Sequence, residues 1–338
     1  MQQLPSAGRR RTARTIGLAL VLLLPLPAEA AQERLAAAYS TLVGSQAVIW
    51  VAHDSGSFER AGLPLTLVYV QGGPQAAAGL LSGSIPFVQF SASAGVNAAL
   101  GGADVAFVTS GGNTPYFQLM GAPGIRSAAD LKGKIVAVQR LGADNSYTLA
   151  RFAIRHLGLD PDRDVSYRQI GVQSARVAAV RSGVVQATLL SSPITVQARK
   201  AGLSLLIDLM EMKLDYFMVG QATTRSFIQR NPEAVRRFVR GIVLGIHFYK
   251  TRKAESMRTI GKYMKLTDQD ALEDAYRVYS QGIVARKPYP SPTGFEHFLK
   301  DLAQEDPRAR GMRPEQFMDV RFLRELDESG FIDRLYAP

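Results

Sequence analysis

The sequence of 338 residues contains no cysteine and only four histidines. Without cysteine the chain can form no disulfide, thiolate metal site, cysteine nucleophile or lipid-modified N-terminal cysteine. The histidines are far apart in the sequence, so a histidine-rich metal site is not expected. After residue 30 no apolar run reaches the roughly eighteen residues that a membrane-spanning helix requires. We therefore expect neither a metal nor a cofactor.

The first thirty residues have the pattern of a secretory signal peptide. Four arginines between residues 9 and 14 precede the apolar stretch Ile16–Leu26, and Ala28-Glu29-Ala30 supplies the small residues of a cleavage site. A membrane anchor is the weaker alternative, because this stretch is too short to cross about 30 Å of hydrocarbon and prolines interrupt it. We predict cleavage after Ala30 and a soluble periplasmic protein. The arginine run leaves the export route open.

The chain is basic, with a formal net charge of +11. Removal of the first thirty residues, with four arginines and one glutamate for a net +3, leaves about +8. Binding to nucleic acid is a poor explanation for an exported protein, so no nucleic-acid partner is expected. Much of the charge lies in residues 225–265, as a solvated helix face or, alternatively, a docking surface. The basic residues of this segment are Arg225, Arg230, Arg236, Arg237, Arg240, Lys250, Arg252, Lys253, Arg258, Lys262 and Lys265.

Short apolar segments alternate with helix-like segments between about residues 35 and 210. This alternation predicts an α/β fold with mixed, mainly parallel sheets, whereas the chain after about residue 224 is predicted to be helical. The predicted strands are Leu35–Tyr39, Leu65–Val70, Ile85–Phe90, Val105–Thr109, Lys134–Val138, Val165–Gln169, Gln186–Leu190 and Leu203–Ile207. The predicted helices are 46–55, 74–82, 92–100, 146–157, 173–182, 193–201, 232–250, 267–283, 292–304 and 314–328.

Small, capping or glycine residues follow five of the predicted strands. In a parallel sheet such turns lie at the carboxyl edge, where ligands bind, and each helix start offers unpaired N–H groups. Capping residues also end helices without any ligand, so no single turn is decisive. Five of them in two αβ blocks indicate a ligand cleft between two lobes. The candidate ligand-binding residues, including Asn113 near a crossover, are Tyr39, Ser40, Thr41, Ser45, Gln46, Gly72, Gly73, Ser91, Ala92, Asn113, Asp144, Asn145, Ser146, Ser191, Ser192 and Pro193.

Several of these residues have a purely structural alternative. Tyr39 is equally consistent with a core aromatic at a strand end, and Asp144 with a helix cap. The sole tryptophan, Trp50, lies on an apolar helix face and is predicted to be core, with stacking on a ligand as the alternative. His53 is predicted to lie at the surface.

Enzymatic motifs are weak. Ser91-Ala92-Ser93-Ala94-Gly95 comes close to the nucleophile elbow G-x-S-x-G, but serine replaces the first glycine and no downstream histidine has a recognisable loop context. Phosphate-loop, zinc-protease and dinucleotide motifs are absent from the sequence. We predict that the protein is not an enzyme.

Several segments resemble periplasmic solute-binding proteins of ABC importers. Residues 127–138 read SAADLKGKIVAV, similar to the "aDLKGKkvgv" segment of the subgroup for nitrate, sulfonate, taurine and thiamine-pyrimidine precursors. Residues 53–63, 156–161 and 178–187 support the resemblance, which covers nearly the whole mature chain. It is specific for the family and not for the ligand. One branch of the family makes a thiamine pyrimidine enzymatically, but its cysteine-rich signature is absent here.

The resemblance implies a type II periplasmic-binding-protein fold with two α/β lobes. Lobe one would comprise residues 31–115 and 217–338, lobe two residues 124–216, and the crossovers would lie near 109–120 and 217–224. The implied partners are a small-molecule solute and an ABC permease in the inner membrane, and we expect a monomer. The alternative function is a periplasmic sensor that presents its bound state to a membrane receptor. Permease and ATPase genes beside its own would favour import.

The candidate residues also bear on the solute. None is lysine or arginine, and Asp144 carries the only charge among them. A small anion would depend on hydroxyls and helix ends, each end contributing about 0.3–1 kcal/mol. Asp144 would repel an anion but could bind an amine. We therefore favour a small polar organic molecule, zwitterionic or heteroaromatic, over inorganic nitrate.

Overall fold

The computed structural model describes residues 35–142 and 145–337. Within these residues ten strands form two five-stranded sheets. The strands are β1 (Leu35–Tyr39), β2 (Leu65–Tyr69), β3 (Phe87–Ser91), β4 (Val105–Gly112), β5 (Phe117–Gly121), β6 (Lys134–Val138), β7 (Val165–Gln169), β8 (Ala187–Ser191), β9 (Ser204–Asp208) and β10 (Val219–Thr224).

The two sheets have the same arrangement. The strand order is β2-β1-β3-β10-β4 in the first sheet and β7-β6-β8-β5-β9 in the second. In the first, β1 pairs in parallel with β2 and β3, and β10 is antiparallel to β3 and β4. In the second, β6 pairs in parallel with β7 and β8, and β5 is antiparallel to β8 and β9. The predicted α/β class with mixed, mainly parallel sheets is confirmed.

Helices connect these strands and form the C-terminal part of the chain. The α-helices are α1 (Ala47–Asp54), α2 (Ser57–Arg60), α3 (Gly73–Leu81), α4 (Ala92–Leu100), α5 (Asn145–His156), α6 (Gln173–Arg181), α7 (Ile194–Lys200), α8 (Arg225–Arg230), α9 (Pro232–Thr251), α10 (Lys253–Met264), α11 (Gln269–Ala275), α12 (Pro292–Glu305), α13 (Arg321–Glu328) and α14 (Phe331–Leu335). Short 3₁₀ turns cover Gly44–Gln46, Ala129–Leu131, Pro307–Ala309 and Pro314–Gln316, and a π-helical segment covers Tyr276–Ile283.

All eight predicted strands are present, with ends that differ from the prediction by at most three residues. Two further strands, β5 and β10, lie within the segments expected to be crossovers. The chain passes from the first sheet to the second through residues 113–116 and returns through residues 209–218. Both unpredicted strands are therefore the ones that immediately follow a change of sheet. The lobe boundaries themselves stay a prediction.

Two C-terminal predictions need correction. The helix expected over 267–283 is two segments, α11 followed by the π-helical segment, and its cap is Asp268, whose carboxylate accepts from the Ala271 N–H at 3.1 Å. Thr267, which the sequence pattern predicts as the cap of this helix, lies one residue too early. The helix expected over 314–328 is a 3₁₀ turn and then α13, because residues 317–320 leave the helical path.

Aromatic side chains fill the core beside the first sheet. The rings of Phe87 on β3 and Phe238 on α9 stack with their centroids 4.0 Å apart. Trp50 on α1 is fully buried and stacks on Tyr263 of α10 at 5.0 Å, so the prediction that it is core is confirmed. Because β1 ends at Tyr39 and α1 begins only eight residues later at Ala47, the N-terminal end of α1 lies on the side of the carboxyl edge of β1.

The predicted signal peptide lies outside the described residues. Among the residues that are described, no helix is long and apolar enough to cross a membrane. Many basic side chains of residues 225–265 form ion pairs, which supports the solvated-face interpretation for them. These pairs are Arg236 with Glu233 and Glu325, Arg237 with Glu233, Arg252 with Glu255, Lys253 with Glu273, and Lys262 with Asp54.

Candidate functional site

The candidate turns lie at the carboxyl edges of the two sheets, next to the crossing segments. At the edge of the first sheet, Val219 of β10 pairs with Ser91, the last residue of β3. At the edge of the second, Phe117 of β5 pairs with Ser191, the last residue of β8. Each antiparallel strand thus begins opposite the residue at which a candidate turn starts, and this brings the crossing segments next to the turns of both sheets.

One backbone carbonyl joins candidate residues from both sheets. The oxygen of Met218, in the returning segment, accepts from the Ala92 N–H at 3.0 Å and from the Asn145 Nδ2 at 3.1 Å. Ala92 begins α4 after β3, and Asn145 begins α5 after β6. Two helix starts that lie more than fifty positions apart in the sequence therefore meet at one atom.

Tyr279 of the π-helical segment makes a second contact between candidate turns of the two sheets. Its hydroxyl donates to the Ser192 carbonyl at 3.1 Å, and its ring lies where a Cβ on Gly44 would overlap it. The Tyr116 ring packs edge-on against Tyr279 at 5.4 Å, and the Ser45 side chain lies near the Tyr116 hydroxyl. Burial raises the pKa of Tyr116 to about 12 and that of Tyr279 well above 10, so both phenols stay neutral.

The serines after β8 are held by buried polar partners. Ser191 exchanges two hydrogen bonds with Gln173, from its N–H to Oε1 and to its Oγ from Nε2, both at 2.8 Å. The Ser192 hydroxyl donates to Asp274 Oδ2 at 2.6 Å, and Asp274 also pairs with Arg277. These hydrogen bonds hold the turn in position, and the Asp274 carboxylate is in direct contact with it. Pro193 follows as the residue before α7.

Tyr39 and the turn after β1 lie among aromatic side chains. The Tyr39 ring contacts Trp50, Tyr69 and Tyr263 at 5.3–5.7 Å and is almost fully buried. These surroundings are those of a core aromatic residue at a strand end. Burial alone would raise the pKa of the nearby Asp54 carboxyl. Hydrogen bonds from His53, Lys262 and Tyr263 outweigh burial and lower it to about 2. His53 is partly exposed, as predicted. Ser40 is buried next to Tyr39, and Thr41 is half-buried.

The glycines after β2 have structural reasons of their own. Gly72 has φ +90°, a conformation that favours glycine, and its N–H donates to the Ser40 carbonyl at 3.0 Å. A Cβ on Gly73 would come 2.5 Å from Ala94 Cβ, so Gly73 lets the start of α3 pack against the first turn of α4. Both glycines hold candidate turns together, whether or not a ligand approaches their backbone.

The remaining candidates cap helices or connect segments. The Ser91 hydroxyl caps α4 by accepting from Ala94 N–H at 3.2 Å, and Ser146 Oγ accepts from Gln139 N–H at 2.8 Å. The Asn113 Oδ1 accepts from Ser110 and from the Ser291 N–H, and its Nδ2 donates to the Tyr289 carbonyl. These contacts tie the first crossing segment to the loop before α12. Asp144 lies outside the described residues.

A hydrolase site does not assemble around Ser93. Its hydroxyl is buried and lies 2.9 Å from that of Ser91. The four histidines, all described, have other neighbours: His53 contacts Asp54, His156 contacts Phe152, His247 contacts Tyr336, and His297 contacts the Asp215 carbonyl. Within the part of the chain that the structure covers, no three acidic or histidine side chains converge as a metal site would require.

An open groove of about 720 Å³ lies elsewhere, between α10 and α11. It is lined by Lys253, Ala254, Met257, Arg258, Gly261, Lys262, Leu266, Thr267, Gln269, Leu272 and Glu273. It contains none of the candidate residues. Polar groups from both sheets meet at the sheet edges, whereas this groove is lined only by residues 253–273, so the sheet edges stay the candidate site.

Sequence reasoning missed four residues that join the two sides: Tyr116, Met218, Asp274 and Tyr279. Tyr116 follows Asn113 closely, so the Thr114-Pro115 turn between them was a usable signal. Nothing in the sequence connects the helical residues Asp274 and Tyr279 with turns more than eighty positions earlier.

The chain belongs to a known protein family. Residues 45–255 match the family model described as NMT1/THI5 like, which confirms the resemblance drawn from the sequence. A search of curated proteins found no match to the sequence.

Solved structures share the fold. The periplasmic aliphatic sulphonate binding protein SsuA from Escherichia coli matches with a TM-score of 0.68 and 20% identity, covering 83% of this chain and 95% of its own. The periplasmic nitrate-binding protein NrtA from Synechocystis PCC 6803 matches with a TM-score of 0.70 and 11% identity, covering 88% of each chain. A ligand-binding component of an ABC-type import system from Staphylococcus aureus gives 0.74 and 14%, covering 87% and 99%. The prediction that this chain is not an enzyme agrees with these binding proteins.

Proposed function

We propose that the protein is an extracytoplasmic binding protein that captures a small polar organic solute between two lobes and delivers it to an ABC importer. The observation that carries the proposal is the Met218 carbonyl, at which Ala92 and Asn145 meet. A ligand held at this junction would contact helix starts of both sheets at once. The binding proteins among the structural neighbours support the same role.

The lobes of the proposal follow the two sheets. Lobe one takes residues 31–115 and 217–338, and lobe two takes residues 124–216. A solute can contact both lobes at once only when the lobes are closed around it. Binding would therefore favour the closed arrangement, which the lobes would reach by a hinge motion. The crossing segments 113–116 and 209–218 are the natural place for such a hinge.

The chemistry of the site favours an organic solute over nitrate. No lysine or arginine is among the candidate residues, and Arg277, whose partner Asp274 contacts Ser192, is held in that ion pair. Hydroxyls, amide groups and helix starts remain. Such groups suit a neutral or zwitterionic molecule, whereas a bare inorganic anion would depend on hydroxyls, amide N–H groups and helix starts without a cationic side chain.

Ligand identification tests this proposal directly. We expect mass spectrometry of protein purified under native conditions to release a small organic solute, and the same solute to raise the melting temperature of stripped protein. The control variant is Gln186→Met, which changes a residue at the opposite edge of the second sheet. The solute should raise its melting temperature as much as it does for the unchanged protein. Failure of every small solute, including the natural extract, to stabilise the protein would contradict the proposal.

Export is tested separately. If the first thirty residues are a cleaved signal, N-terminal sequencing of periplasmic protein should begin at Ala31. An intact Met1 in that fraction would contradict cleavage. Size-exclusion chromatography of the same material should give a monomer.

A further inference from the structure

We propose that two buried amide oxygens, Asn145 Oδ1 and Gln46 Oε1, receive hydrogen bonds from the solute. The solute would then carry an amino, ammonium or ring N–H group. This inference rests on the proposed function and adds a chemical requirement to it. The side chains are 7% and 2% exposed, and neither oxygen has a hydrogen-bond partner among the residues that the structure describes. A buried acceptor without a donor is unfavourable, and a ligand that donates to it removes that cost.

The orientation of the Asn145 amide is fixed by the backbone. Its nitrogen donates to the Met218 carbonyl at 3.1 Å, and a carbonyl oxygen can only accept. The nitrogen must therefore occupy that position, and Oδ1 is the atom left over. Because Asn145 is the first residue of α5, this oxygen lies at the carboxyl edge of the second sheet.

Gln46 presents the same feature at the first sheet, in the turn before α1. The carbonyl of its neighbour Ser45 already has a donor, since it accepts from Gln89 Nε2 at 2.9 Å. Gln89 in turn accepts from Gln221, so the amide oxygen of that nearby glutamine has a donor. The Gln46 oxygen is the exception in a region that otherwise satisfies its amides.

Acceptor oxygens from both sheets discriminate between classes of solute. Nitrate and a simple alkanesulfonate offer oxygen acceptors only, so neither can donate to an amide oxygen. A solute with an N–H group can donate to the amides while any anionic end lies at a helix start.

The test uses pairs of solutes that differ by one amino group. The probes are 2-aminoethanesulfonate against ethanesulfonate, an amino acid against its deaminated acid, and an aminopyrimidine against the methylpyrimidine, each titrated by calorimetry. We expect an amino member to bind at least tenfold more tightly than its partner, the difference that one well-placed hydrogen bond provides. The preference should fall at least fivefold in Asn145→Leu and in Gln46→Met. It should persist in Gln186→Met, whose amide bonds to Ile135 and Gly183 within the protein.

The outcomes separate this inference from the proposed function. Equal or tighter binding of the donor-free partner, or a preference that survives in Asn145→Leu, overturns the inference and leaves solute binding intact. Recovery of a simple alkanesulfonate as the natural ligand does the same, whereas recovery of nitrate also contradicts the organic solute of the proposed function. Absence of binding by every probe and by natural extract overturns the proposed function and this inference with it. Circular dichroism of each variant confirms that a lost preference is not a lost fold.

Discussion

The two sheets have the same strand arrangement but different interiors. Beside the first sheet, stacked aromatic rings such as Phe87 and Phe238 fill the core, and the buried polar groups are neutral. Thr109 donates to Gln221 at 2.6 Å, and Gln221 donates to Gln89 at 2.6 Å. This chain of amides crosses strands β4, β10 and β3.

The second sheet uses a buried cation in place of that neutral chain. Arg176 on α6 is 1% exposed and donates to Thr188 Oγ1 at 3.1 Å, to the Leu189 carbonyl at 3.0 Å and to the Gly171 carbonyl. A guanidinium supplies five donors in fixed directions, so a single side chain can satisfy acceptors on several segments. The comparison teaches that strand pairing specifies the topology, whereas the means of satisfying buried polar groups varies independently.

The largest expected effect is on the second sheet. Arg176→Met should lower the free energy of unfolding by about 3 kcal/mol, because two carbonyls and a hydroxyl lose a charged donor in a dry interior. Urea denaturation measures the change. Arg168→Met, an exposed arginine on β7 of the same sheet, is the matched control and should change stability by less than about 0.5 kcal/mol. A stable Arg176→Met protein would remove the contrast between the sheets.

The junction between the two regions should respond next. Gly44→Ala places a methyl group into the Tyr279 ring and should cost about 1–3 kcal/mol through overpacking. The same substitution in a Tyr279→Ala background should cost much less, since the two positions are in contact. Equal costs in both backgrounds would show that Tyr279 does not press on this turn.

Acid stability should distinguish carboxylates of the two regions. The pKa of Asp54 is about 2, below the ordinary value of 3.8, so its contribution is complete above pH 4 and is lost as the pH falls toward 2. Asp54→Asn should therefore lose about 2 kcal/mol at neutral pH and show a flatter profile between pH 4 and 2.

Asp162, near α5 of the second region, is the control. Arg151 lowers the pKa of Asp162 as well, but the Asp162 side chain is 66% exposed. Because solvent screens this pair, Asp162→Asn should change the free energy of unfolding little. A steep acid transition that survives in Asp54→Asn would assign acid sensitivity to other groups.

The smallest effect is expected within the amide chain. Thr109→Val keeps the shape of the side chain but removes the donor to Gln221 Oε1, at a cost of about 1–2 kcal/mol. Thr223→Val is the control on β10, because the buried Thr223 hydroxyl has no partner among the described residues. That variant should be neutral or more stable. Equal effects of the two substitutions would mean that the amide chain adds nothing to the first sheet.

Much of the fold could be predicted from the sequence. The parallel strands are short apolar runs with glycine or capping residues after them, a pattern that arises from local backbone preferences and burial. Strands β1, β6 and β7 were predicted with their observed bounds, and α4 likewise. Residues 127–138, supported by residues 53–63, 156–161 and 178–187, indicated the family that the family model confirms.

The tertiary structure decided what depends on distant pairing. Strand β10, with the sequence VGQATT, has no apolar alternation, and its extended form is set by hydrogen bonds to β3 and β4 more than one hundred positions away. The candidate turns were predictable because capping is local, but their joining by Met218 and Tyr279 was not. That joining requires two chain crossings and a helical segment to return to the same point, and no local preference encodes such a return.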